Sequence, residues 1–224
     1  MFKRVDFNDI ILLFCKTLYV CTCSTYTWYN LYQLYAREQL TLVINLQSIT
    51  FYTLHIMQKI GIFYGSSTGN SEHAAQQIQK EFGADIATVI DVSGAKAADV
   101  EQYSNIIFGC STLEIGELEY DFDDFMPELE AANLEGKKVA IFGLGDQESY
   151  PDSFVDSIGI IYEAIKDKGC DIVGATSTEG YDYDESRGEV DGQFMGLVLD
   201  DDSQDNLTDE RIKEWVTKLK EEFN

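Results

Sequence analysis

Three apolar runs, each stopped at a glycine-bearing loop, limit what this chain can become. They are Ile60-Gly61-Ile62-Phe63-Tyr64, Asn105-Ile106-Ile107-Phe108-Gly109-Cys110 and Lys137-Lys138-Val139-Ala140-Ile141-Phe142-Gly143. Apolar residues at successive positions leave a strand no polar face, so each run must be covered on both sides, as the strands of a parallel sheet are. Helical spacing follows each run, over 71–82, 120–132 and 154–168. A further strand is expected at 86–91 with a short helix at 97–102, and a fifth strand starts at 171–175 and can resume at 196–199 before a last helix at 208–223. Five alternations of strand and helix predict a doubly wound five-stranded parallel sheet, order 2-1-3-4-5, with helices on both faces. In that topology a ligand sits beyond the carboxyl ends of the strands, beside strand 1. The loops there are 66–71, 111–118 and 144–151.

The first of these loops has its own chemistry. Gly65-Ser66-Ser67-Thr68-Gly69-Asn70-Ser71-Glu72 joins a buried strand to a helix. The unpaired amides of a first helical turn and the positive end of the helix dipole make an anion site. Ser66, Ser67, Thr68 and Ser71 add four hydroxyls, and no Lys or Arg lies between Ser66 and Gln79. The Gly-Lys-Ser/Thr ending of a triphosphate loop is missing. A single terminal phosphate held by neutral donors fits this loop better than a magnesium-bound triphosphate.

Glycine and charge divide the chain near Met57. All 17 glycines and both prolines, Pro127 and Pro151, follow that residue. Residues 1–56 carry four basic and three acidic side chains, a net charge of +1, within a chain of net charge −24, so residues 57–224 carry −25. The uncharged stretches 17–36 and 39–54 are broken throughout by Thr, Ser, Asn and Gln, and neither reads as a membrane span. The segment is expected to lie outside the fold, upstream of a start at Met57, with a targeting or membrane-associating arm as the alternative. Cys21-x-Cys23 has no second pair to complete a metal site.

After Met57 only Cys110 and Cys170 occur, which suits a reducing, cytoplasmic compartment. The strong acidity excludes nucleic acid and anionic membrane as partners and favours a basic protein surface. No Ser-His-Asp order or metal-ligand cluster is present; His55 lies in the first segment and His73 is expected on a solvated helix face. The acidic runs 117–124, 182–191 and 200–205 read singly as solvated faces, and together as a steering field.

Four motifs in order then carry a resemblance: Gly65-Ser-Ser-Thr-Gly-Asn-Ser-Glu72, Gly109-Cys-Ser-Thr-Leu-Glu-Ile-Gly-Glu117, Phe142-Gly-Leu-Gly-Asp-Gln147 with Tyr150, and Gly196-Leu-Val-Leu-Asp200 before Leu207-Thr-Asp-Glu-Arg-Ile-Lys-Glu-Trp215. Residues 57–224 resemble the long-chain flavodoxins, small electron carriers that bind FMN without a covalent link. The resemblance implies that Ser66, Ser67, Thr68, Gly69, Asn70 and Ser71 hold the FMN phosphate. It places Thr112, Leu113, Glu114, Ile115 and Gly116 against one face of the isoalloxazine ring. Gly143, Leu144, Gly145, Asp146 and Tyr150 would meet the other face and the pyrimidine edge, with Tyr150 stacked on the ring.

Many members carry Trp where this chain has Leu113, which implies a less tightly sandwiched ring and altered potentials. The stretch 177–195 matches the insertion that defines the long-chain group, expected to be a solvated loop or a docking surface. The resemblance also implies a peptide flip at Glu114-Ile115 that meets the N5–H of the one-electron-reduced ring, eased by Gly116. It implies a monomer with ferredoxin-NADP reductase, pyruvate:flavodoxin oxidoreductase, nitrogenase reductase or photosystem I as partners. Two other classes share this sheet. An FMN-dependent NAD(P)H:quinone reductase would need a nicotinamide site, and no second dinucleotide fingerprint is present. A phosphoacceptor receiver domain would need paired acidic residues after strand 1, where Gly65-Ser66-Ser67 stands.

Overall fold

The computed structural model describes residues 60–223, all within Ile56–Asn224, the second of the two units into which the chain divides. The expected boundary at residue 57, together with Cys21, Cys23 and His55, lies outside the described residues.

The apolar runs form the centre of the sheet. In chain order the elements are β1 (Ile60–Tyr64), α1 (Asn70–Phe82), β2 (Ala87–Asp91), α2 (Ala97–Glu101), β3 (Asn105–Leu113), β4 (Glu117–Leu118) and α3 (Tyr120–Ala131). They continue as β5 (Lys138–Leu144), α4 (Asp156–Ile165), β6 (Asp171–Ile172), β7 (Thr176–Ser177), β8 (Glu189–Val190), β9 (Gln193–Phe194), β10 (Leu197–Leu199) and α5 (Thr208–Glu222). β1 lies between β2 and β3, β5 follows β3, and all of these pairs are parallel. The fifth strand comes in two pieces on the same edge: β6 pairs with Lys138 and Val139, and β10 pairs with Phe142 to Leu144. Counting the two pieces as one gives the expected 2-1-3-4-5 order.

Alternation along each strand feeds two cores. Ile60, Ile62, Ile107, Ala140 and Phe142 meet α1 and α5 through Ile78, Trp215 and Leu219. Phe63, Ile106, Phe108, Val139 and Ile141 meet α3 and α4 through Phe122, Phe125, Leu129, Ile158 and Ile161. Each Ile, Leu, Val or Phe among them contributes about 1.5–3 kcal/mol by leaving water. With both faces filled, the open ends of the strands are left for a site.

Two expectations change. The third strand was expected to end at Cys110, where the apolar run ends, but β3 continues to Leu113. Backbone pairing needs no apolar side chain, and Cys110 and Ser111 pair with Gly143 and Leu144 of β5. β3 then folds back on β4, Thr112 opposite Leu118 and Leu113 opposite Glu117, so Glu114-Ile115-Gly116 is a hairpin tip. The insertion is more than a solvated loop. Its strands pair antiparallel in the order β7-β9-β8, and fully buried Phe194 packs on Phe154, Tyr181 and Tyr183 with ring centroids 5.3–6.1 Å apart. Gly159 of α4 lets the insertion approach, since a Cβ there would stand 2.2 Å from the Arg187 carbonyl oxygen.

Candidate functional site

α1 begins without a side-chain cap. Gly69 takes the cap position in the left-handed region (φ 94°), and its N–H donates to Ser66 Oγ at 3.0 Å. The helical ladder starts with His73 N–H donating to Gly69 O at 2.9 Å, so the amides of Asn70, Ser71 and Glu72 precede the first rung. Ser71 is 1 % exposed, and its Oγ has no hydrogen-bond partner in the protein. A buried hydroxyl without a partner costs about 1–3 kcal/mol, so its persistence at an uncapped helix start points to an acceptor from outside the chain. Thr68 and Asn70 are exposed around it.

The second loop is tied to its neighbours by buried polar groups. Glu119, fully buried, caps α3 by accepting from the N–H groups of Asp121 and Phe122 at 3.1 and 3.2 Å. Its other oxygen accepts from the Ser67 hydroxyl, linking the first loop to the element after the second. Thr112 Oγ1 donates to Ser157 Oγ at 3.0 Å and accepts from the Ser157 N–H at 3.1 Å, which fixes the end of β3 on α4. Its hydroxyl therefore holds the loop in place. Glu114 adopts φ 45° and Gly116 φ 87°. A non-glycine residue in the left-handed region is strained, and such strain gathers at switching loops. At Gly116 a Cβ would also stand 2.5 Å from Asp156 Oδ2. Burial raises the Asp156 carboxyl above its ordinary value, with the Arg187 N–H and charge acting against it. Leu113 is half-buried and Ile115, at 87 % exposure, projects into solvent at the tip.

The third loop hangs from a buried carboxylate. Asp200, fully buried, accepts from the N–H groups of Gln147 (3.2 Å), Asp202 (3.2 Å) and Ser203 (2.9 Å) and from the Ser203 hydroxyl (2.6 Å). Gln147 in turn donates to Ser203 Oγ and accepts from the Asp182 N–H. Asp146 accepts from the N–H groups of Glu148 and Ser149 at 3.0 and 2.9 Å. Burial alone would raise the Asp146 carboxyl, but hydrogen bonds from Ser149 and Glu148 outweigh it and hold the group below its ordinary value. Gly143 and Leu144 are buried in β5, Gly145 is half-buried, and Tyr150 is 50 % exposed. A polar cavity of about 620 Å³ lies behind this loop, lined by Gln147, Glu148 and the insertion's Tyr181 to Asp184. The third loop and the insertion line it, and neither of the first two loops does.

The three loops leave the carboxyl ends of β1, β3 and β5, which are adjacent and parallel. Sequence reading missed Glu119, Ser157 and Asp200, which brace them, and Asp156, which accepts from the Arg187 N–H of the insertion. Glu119 and Asp200 belong to runs read as solvated acidic faces. The signal that sets them apart is the set of loop donors around them, and that is tertiary. His73 is exposed as expected, and no group of three or more metal-ligating side chains occurs among the described residues. No helix among those residues is long and apolar enough to cross a membrane.

The sequence profile of the family described as flavodoxin matches residues 62–215. The flavodoxin of Trichodesmium erythraeum is 50 % identical over 169 residues, covering 75 % of this chain and 99 % of that protein. A Nostoc flavodoxin is 48 % identical over 166 residues, with 74 % and 98 % covered. The crystal structure of Fusobacterium nucleatum flavodoxin bound to flavin mononucleotide superposes with a TM-score of 0.71 at 34 % identity, covering 75 % of this chain and 99 % of that one.

Proposed function

The chain belongs to the flavodoxin family, and we propose from that premise which of its residues serve the flavin and which proteins it serves. It is an electron carrier with FMN as its non-covalent cofactor, and not an enzyme. Bound FMN supplies one-electron oxidation and reduction at its ring; the protein's part is to bind, orient and bias it. The observation that carries the site is Ser71 Oγ, buried without a partner under an uncapped helix start.

We assign the phosphate to the amides and hydroxyls of residues 66–71. The Ser66, Thr68 and Ser71 hydroxyls and the first-turn amides supply neutral donors, so the dianion is held with no Lys or Arg. Leu113, with Thr112, Glu114, Ile115 and Gly116, forms one wall for the ring. Tyr150 forms the other with Gly143, Leu144, Gly145 and Asp146, as planar aromatic faces pack together. The strained tip at Glu114 gives the loop a second backbone arrangement within reach, supporting the expected flip at Glu114-Ile115.

Charge sets the direction of the electrochemistry. A carboxylate about 10 Å from the ring, at an effective dielectric near 20, opposes added negative charge by roughly 1–2 kcal/mol before screening. With about 2.3 kcal/mol per electron for 100 mV, each such group lowers the potential by tens of millivolts. The same acidity selects basic docking faces, with association that slows as salt rises. We propose ferredoxin-NADP reductase, pyruvate:flavodoxin oxidoreductase, nitrogenase reductase or photosystem I as partners of a cytoplasmic monomer.

Flavin fluorescence tests the assignment. Adding FMN to apoprotein quenches its fluorescence with a one-to-one endpoint, and the holoprotein alone with NAD(P)H and a quinone sustains no turnover. Unquenched FMN would overturn the site assignment. Sustained NAD(P)H oxidation would restore the quinone-reductase reading.

A further inference from the structure

The Ser67 hydroxyl has one proton, and the fold has already placed it. It donates to Glu119, a fully buried carboxylate whose other oxygen accepts from the Asp121 and Phe122 N–H groups. A carboxylate is an acceptor only, and so is a phosphate dianion. Both therefore compete for a single donor. Glu119 reaches the loop because residue 65 is glycine: a Cβ there would stand 2.4 Å from Glu119 Oε2. The groups that hold Glu119 are neutral donors, the Ser67 hydroxyl and the first N–H groups of α3. A buried negative charge against an anion-binding loop works against that loop.

We propose that Glu119 restrains phosphate binding, its carboxylate keeping the Ser67 proton from the FMN phosphate and opposing the phosphate's charge. The proposal rests on the FMN reading above and narrows it. The backbone of Ser67 belongs to the cradle, and its hydroxyl does not. Glu119 is a positioning residue that sets how strongly the chain holds FMN.

Glu119→Gln tests this at nearly constant shape. The Gln carbonyl oxygen still accepts from the start of α3, and its amide donates to Ser67 Oγ, which releases the Ser67 proton. At pH 8, where a phosphate monoester is a dianion, FMN should bind about tenfold more tightly, the worth of one charge-assisted hydrogen bond. Riboflavin, which lacks the phosphate, should bind as before. Ser67→Ala changes an exposed residue and approaches the same question from the other partner. It should alter FMN affinity less than about twofold, because the lost proton was not on the phosphate.

Weaker FMN binding in Glu119→Gln, or an equal loss for FMN and riboflavin, would make Glu119 a simple helix cap and overturn the proposal. A loss of about tenfold or more in Ser67→Ala would do the same, by making that hydroxyl a direct ligand. If the unaltered protein bound neither flavin, the flavin reading itself would fail, a result separable from all of these.

Discussion

Thr68→Asp should weaken FMN binding by at least about a hundredfold while leaving the apoprotein as stable as its parent or slightly more so. The two effects have opposite signs for one electrostatic reason. Thr68 is exposed in the loop before α1, so the substitution disturbs no core. A negative charge near the start of α1 interacts favourably with the helix dipole, by about 0.3–1 kcal/mol. Bound phosphate would occupy that same favourable region. A carboxylate about 6 Å from a dianion, at an effective dielectric near 20, opposes it by roughly 5 kcal/mol before salt screening. Screening trims this figure, and about 2.7 kcal/mol remaining is enough for a hundredfold. Fluorescence titration gives the affinity and urea unfolding of the apoprotein gives the stability. Unchanged FMN affinity would place the phosphate elsewhere.

The second large effect is expected away from the loops themselves. Asp200→Ala should lower apoprotein stability by about 2–4 kcal/mol and speed FMN release, because buried donors lose their acceptor. Four donors converge on that carboxylate, three from the backbone of Gln147, Asp202 and Ser203 and one from the Ser203 hydroxyl. Removing it frees the Gln147 N–H and so the loop that ends at Tyr150. Asp200→Asn should fall between parent and Ala, since its oxygen still accepts while its NH₂ faces other donors. The urea midpoint measures the first effect, and FMN release after dilution measures the second. If release were unchanged despite lost stability, Asp200 would brace the fold and not the ring wall.

Most of the sheet was legible because continuous apolar runs leave a strand one option, and β1, β3 and β5 are buried on both faces. The split fifth edge could be read because Gly196 to Leu199 repeats an apolar run beyond an acidic interruption. The β3–β4 hairpin was not legible, because two-residue pairings such as Leu113 with Glu117 depend on where the neighbouring strand ends. Residue types alone lead to the expectation that loop 66–71 is an anion site. They do not reveal its brace. Glu119 and Asp200 sit among acidic neighbours that are mostly solvated, and a carboxylate's burial depends on donors brought in from distant parts of the chain. Phe194 was hidden in the same way, an apolar residue in a polar insertion that finds Phe154 only after folding.

This chain is proposed to handle electrons singly, on a flavin held by its phosphate. Anaerobic stepwise reduction of the FMN-loaded protein, followed by visible absorption and potential, tests it most directly. Two separated one-electron steps are expected, the second at a low potential that rises as added salt screens the acidic surface. A single two-electron step would contradict it.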